Sequence, residues 1–216
     1  MLEVSNGSHS QKEVVPGLEA FTDRLNLHDL TGRDTLFDSN AGCRVYRAIN
    51  RKLRRLPGGS VLLVDLTRLR EASYGSLKEV LSAVDLLREA KHHEKYLVFC
   101  IDQRNHDLIE SIEMIARSRG HLIPVIGRNG DWHNLGKLTK AERDTLELVE
   151  KYGALTSKEL HKRFGLLLSA ASNRLRRLHH LRLIKREERV VPTSGGREFV
   201  YKPLVSLKRR THATIT

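Results

Sequence analysis

The sequence predicts an α/β unit followed by a smaller α+β unit. Three observations carry this. Short Val- and Leu-rich runs alternate with amphipathic helical stretches up to residue 126, three short capped helices and a hairpin follow Lys137, and the charge balance shifts at the same point. Of the 216 residues, 38 are Lys or Arg and 26 are Asp or Glu. Residues 137–216 hold 19 of the basic and 8 of the acidic residues, a net of +11, against +1 for residues 1–136. Such asymmetry points the C-terminal unit towards a polyanion.

Residues 1–16 are polar and end at Pro16, so they read as a disordered start. The α/β unit is placed at 17–127. Its first part, 17–37, has scattered apolar residues with no clean period. From 40 to 56, Val45, Ile49, Leu53 and Leu56 recur at helical spacing while Arg44, Arg47, Arg51, Lys52, Arg54 and Arg55 crowd the other faces; Pro57 and two glycines end the stretch. Runs at 61–64, 96–101 and 122–126 are short, apolar and rich in Val and Ile, the signature of buried strands. Helices are expected between them, at about 75–90 and 106–119. Residues 128–138 read as a linker that holds the single tryptophan, Trp132.

The second unit is placed at 139–205. Thr139 with Glu142, and Thr156 with Glu159, are capping boxes that open two short helices closed by Gly153 and Gly165. A third helix is expected over 169–180, then strands at 183–191 and 197–202 around a Gly-containing turn. Three short helices and a hairpin in about 65 residues is the winged-helix plan. Residues 206–216 form a basic tail.

The third helix carries the candidate site. At 100° per residue, Leu168, Ala171, Leu175 and Leu178 fall on a core face. Ser169, Asn173, Arg176, Arg177 and His180 fall opposite, with Ala170 and Ser172 alongside and Arg174 on the flank. A small N-terminal end allows close approach to a groove, and Asn and Arg pair with base edges in bidentate fashion. No Asp or Glu occurs from Gly165 to Arg186, whereas an ordinary solvated helix mixes signs. Arg189 and Arg197 flank the hairpin turn and are expected at phosphates or the minor groove. The DNA-contacting set is thus Ser169, Ala170, Ser172, Asn173, Arg174, Arg176, Arg177, Arg189 and Arg197.

The run from Leu155 to Leu160, the run from Leu168 to Leu178, and Leu183 with Ile184 resemble bacterial and archaeal winged-helix regulators of the MarR type. Where that pattern has Gly before the final Leu-Ile, this chain has Arg182. The resemblance implies binding of double-stranded DNA. Val61 to Leu66 followed by Ala72 to Leu77 resembles the STAS-like family related to anti-sigma-factor antagonists. Those proteins carry Asp-Ser-Ser-Gly with a phosphorylated serine, so the resemblance makes Ser73 and Ser76 candidate regulatory residues; here the stretch reads Ser73-Tyr74-Gly75-Ser76, without the Asp.

Other function classes lack their motifs. No phosphate-binding GxxxxGK[ST] or GxGxxG is present, so no nucleotide loop is expected. Cys43 and Cys100 stand alone, and the pairs His92-His93 and His179-His180 diverge on a helix, so neither a metal site nor a disulfide framework is expected. Asp65 and Asp102 end strands without a nucleophile beside them and read as strand-end caps. No enzyme and no cofactor is therefore expected. No stretch has the ~18–20 apolar residues of a membrane span, and no secretory leader opens the chain, which gives a cytoplasmic, nucleoid-associated expectation. The expected function is that of a sequence-specific, homodimeric transcriptional regulator whose N-terminal unit dimerises, binds a protein partner or senses. The alternative is an adaptor in a partner-switching pathway with nonspecific nucleic-acid binding.

Overall fold

Successive residues of a strand face opposite ways, yet every residue of Val61–Asp65 and Tyr96–Ile101 is buried. These strands therefore need cover on both faces. The computed structural model, which describes residues 20–88, 94–190 and 195–205, shows how that cover arises in an α/β protein with a mixed, mostly parallel sheet.

Five strands make the main sheet: β1 (Asp23–Asn26), β3 (Val61–Asp65), β5 (Tyr96–Ile101), β6 (Leu122–Gly127) and β7 (Trp132–Gly136). They lie side by side in that order, the first four parallel and β7 antiparallel to β6. Each crossover advances one strand in the same direction, so right-handed connections place the helices on one face. These are α2 (Ser39–Arg55), α3 (Tyr74–Leu81), α4 (Ala83–Leu86) and α5 (His106–Arg119). Val45, Ile49 and Leu53 of α2, Leu77 and Val80 of α3, and Ile112 and Ile115 of α5 pack on Leu62, Val64, Leu97, Phe99 and Val125. Gly42 lets α2 and α3 approach closely, because a Cβ there would lie 2.5 Å from the Ser76 carbonyl oxygen. The opposite face, Val61, Leu63, Tyr96, Val98, Cys100 and Ile126, is covered by Phe21, Trp132 and Leu204.

The stretch without a clean period, 17–37, supplies β1, a short helix α1 (Leu27–Thr31) and β2 (Thr35–Leu36), which pairs with β4 (Glu71–Ala72). The helix expected at 75–90 is broken at Ser82, whose amide bonds to both Lys78 and Glu79 carbonyls. The expected linker is in part the edge strand β7, whose polar sequence masked its pairing with β6. Residues 1–16, 206–216, the His92-His93 pair and the hairpin turn at 191–194 lie outside the described residues.

Beyond β7 come α6 (Lys140–Tyr152), β8 (Leu155–Thr156), α7 (Ser157–Phe164), α8 (Leu168–His180), β9 (Ile184–Val190) and β10 (Arg197–Pro203). β10 is central, antiparallel to β8 on one side and β9 on the other. Both capping boxes form, and Gly153 and Gly165 close their helices at φ 73° and 65°. Leu146, Val149, Leu155, Leu160, Ala171, Leu175, Leu178, Ile184 and Tyr201 make a second core, which Leu122 of β6 joins. Among the described residues no helix is long and apolar enough to cross a membrane.

Arg182 fixes the junction between these parts. Its φ of 60° is in the left-handed region that glycine favours, at a cost of roughly 1–2 kcal/mol for a residue with a Cβ. Its side chain donates twice to the Leu87 carbonyl, at 2.8 and 3.2 Å. Burial pushes the guanidinium pKa down, while Tyr96 and Glu94 oppose that shift. The Tyr96 phenol is in turn pushed up to about 12, chiefly by burial.

Two outcomes test this account. Arg182→Ala keeps the strained backbone and loses both hydrogen bonds, whereas Arg182→Gly loses the bonds but relieves the strain. Urea unfolding is expected to find the glycine variant more stable than the alanine variant by about 1 kcal/mol, and equal midpoints would refute the strain.

The second concerns His121, which is 3% exposed with Nε2 2.8 Å from Asp85. Burial, opposed by Asp85, holds its pKa below the ordinary value. The folded chain thus keeps the ring neutral where the unfolded chain binds a proton. Its contribution is complete above the unfolded value of about 6.5 and declines as pH falls through it. His121→Gln is expected to flatten the acid-side loss of stability; an unchanged pH slope would contradict the assignment.

Candidate nucleic-acid interface

α8 presents the polar face that its sequence implies. Ser169, Asn173, Arg176, Arg177 and His180 are exposed, while Ala170, Ser172 and Arg174 are half-buried. Ala171, Leu175 and Leu178 are buried on the opposite side. Leu168 departs from the expected core face: it is 47% exposed, since it occupies the first turn and lines a cleft instead of the core. The helix begins one residue before Ser169, with Leu167 at the cap position and no side-chain cap, so Ser169 is free of a capping role.

The basic residues differ in engagement. Arg177 lies 3.4 Å from Glu142, the glutamate of the α6 capping box. Burial raises the Glu142 carboxyl, but hydrogen bonds from Thr139 and Arg177 outweigh it and hold the pKa below its ordinary value. Arg176 has no ion pair among the described residues, and neither does Arg174.

The hairpin arginines are neutralised across the strands. Arg189 pairs with Glu198 at 2.7 Å and Arg197 with Glu188 at 3.3 Å, and Lys202 pairs with Glu187 in the same ladder. Register makes this so, since Arg189 sits directly opposite Glu198, and Arg197, opposite Val190, lies diagonally across from Glu188 two residues along on the same face. A phosphate would have to compete with these carboxylates for both arginines.

A cleft of about 430 Å³ lies between α8, the start of α7 and the hairpin. Arg176, Ser172 and Leu168 of α8 line it together with Lys158, Arg186 and Phe199. The Arg186 guanidinium stacks on the Phe199 ring at 4.4 Å, and Phe199 is 44% exposed. Lys158 and Phe199 carry no sequence signal that joins them to Arg186, at the start of the wing, because the three come from different elements. The one available signal was the alternation of Arg197, Phe199 and Tyr201 on one side of β10.

Elsewhere the candidates have structural partners. Ser73 caps α3, accepting from the Ser76 amide at 3.2 Å, and its hydroxyl lies 2.9 Å from that of Ser76. Ser76 is fully buried where α2 meets α3, so a kinase reaches it only if those helices part. Asp65 accepts from Arg24 and from the Thr67 amide and hydroxyl. Asp102 receives Arg104, whose hydrogen bonds lower its pKa to about 2, and it lies 3.5 Å from Arg128. Both acids fit the strand-end role. Cys43 and Cys100 are free, and burial pushes the Cys100 thiol up to about 12. Among the described residues no three His, Cys, Asp or Glu side chains are grouped to hold a metal ion.

No protein-family model matches the chain, and no curated protein matches it.

Proposed function

We propose that this protein is a sequence-specific DNA-binding regulator. Residues 139–205 act as a winged-helix reading unit, and a STAS-like α/β unit pairs two copies or binds a regulatory protein. The observation that carries the reading is α8: a helix with exposed Ser169, Asn173, Arg176 and Arg177 along one side and no acidic residue. Asn173 suits adenine and Arg176 suits guanine, each as a bidentate partner worth ~1–3 kcal/mol of discrimination. Arg174, on the flank, suits a phosphate. The cleft beside α8 adds Lys158 and Arg186, two cations suited to phosphate contacts.

The reading assigns less to the hairpin than to α8, because Arg189 and Arg197 are paired with glutamates. A homodimer belongs to the proposal, since one such unit reads only a few base pairs and two linked units gain by effective concentration. The bound state then mirrors a palindromic site. The proposed location is the cytoplasm, on the nucleoid.

Binding of base-substituted duplexes tests the assignment. Asn173→Ala and Arg176→Ala are each expected to relax preference at one or two positions and to cost about 1–3 kcal/mol on the preferred sequence only. A loss of equal size on every sequence would make them phosphate contacts and remove the groove-reading face.

A further inference from the structure

α2 carries a basic surface that its fold does not require. None of its 17 residues is acidic. Arg44, Arg47, Arg51, Arg54 and Arg55 are all exposed, and at 100° per residue they fall within a sector of about 100°. That sector lies opposite Val45, Ile49 and Leu53, which are buried on the sheet. The stripe spans ~16 Å along the helix at 1.5 Å per residue. Lys52, on the flank, is bound to Asp23 at 2.7 Å, but the five arginines have no ion pair among the described residues.

Such an arrangement works against the helix. Arg44 with Arg47, Arg47 with Arg51, and Arg51 with both Arg54 and Arg55 are like charges at i,i+3 or i,i+4 spacing, each of which disfavours the helix. A mixed surface would avoid that cost, so the stripe calls for an anion outside the helix. Arginine in place of lysine suits phosphate in particular, because the planar fork donates in bidentate fashion. The apolar side of α2 is spent on the sheet, which leaves it nothing to insert into a bilayer.

The position favours a long polyanion shared with α8. The Arg55 end of α2 lies where Lys95 donates to the Leu53 carbonyl at 2.6 Å, next to Tyr96. Tyr96 faces Arg182, directly after the end of α8. Both basic helices thus end near the start of β5, the central strand of the main sheet.

We infer that the arginine face of α2 is a second DNA contact, gripping the phosphate backbone of the duplex flanking the sequence read by α8. The inference rests on the DNA-binding reading above. It assigns affinity and salt dependence to α2 and base preference to α8.

The test uses the full chain, fluorescent duplexes of about 16 and about 40 base pairs with one central sequence, and a salt titration of each. Arg44→Gln/Arg47→Gln/Arg51→Gln is expected to lower the slope of log K against log salt by about 2–3 on the long duplex, at ~0.9 per phosphate released. Base preference is expected to stay as in the wild type, and Arg44→Lys/Arg47→Lys/Arg51→Lys to restore most of the slope. Arg68→Gln/Arg104→Gln/Arg117→Gln removes the same charge elsewhere and is expected to leave the slope nearly intact. An unchanged slope in the α2 variant, an equal fall in the control variant, or a defect confined to phosphatidylglycerol vesicles would overturn the inference while the DNA reading stood. Absence of salt-dependent duplex binding by the wild-type chain would overturn both.

Discussion

The main sheet has two apolar faces, and most of the structure follows from the need to cover both. Helices cover one, because every parallel crossover advances in the same direction and turns with the same hand. The other has no helix of its own. Phe21 before β1, Trp132 at the edge strand and Leu204 after β10 close it, so residues from both ends of the described chain meet beneath one sheet. At ~25 cal/mol per Å² of apolar surface removed from water, leaving Leu63, Val98 and Ile126 open would cost several kcal/mol.

That cover binds the C-terminal segment to the sheet. Leu204 directly extends β10, the central strand of the small sheet, so the strand that supports the hairpin also anchors under β3 and β5. Leu122 joins the second core from the sheet side, and Arg182 holds the Leu87 carbonyl from the other. Three contacts of different kinds, apolar cover, shared core and a strained arginine, act at one junction.

Charge is handled in two ways along the chain. On the hairpin, arginines sit opposite glutamates and form exposed ion pairs of small individual worth, which occupy those arginines. On α8 and α2 the acids are absent, and the guanidinium groups of Arg176 and the α2 stripe are left to solvent. Net charge alone does not reveal this division. It follows from strand register on one side and helical angle on the other.

Several features were readable from the residues. The buried strands at 61–65, 96–101 and 122–127, helices α2 and α5, and both capping boxes follow from runs, period and cap chemistry. Two-residue strands such as β2, β4 and β8 carry no period, and the Trp-His-Asn-Leu-Gly of β7 reads as a turn until β6 pairs with it. The polar side of α8 was legible from angle alone. Pairing of Arg189 and Arg197 was not, because it depends on which glutamate the register brings opposite. Nor was the exposure of Leu168, decided by where the helix starts relative to the core, or the cleft formed with Arg186 and Phe199.

The central claim is that α8 reads base sequence. Selection of bound duplexes from a random pool, followed by salt titration of the winners and of the unselected pool, tests it most directly. The account predicts an enriched palindromic sequence bound at least ~10³-fold more tightly than the pool, with both affinities falling steeply as salt rises. Salt-sensitive binding without any enriched sequence would contradict it, leaving a basic surface that holds DNA without reading it.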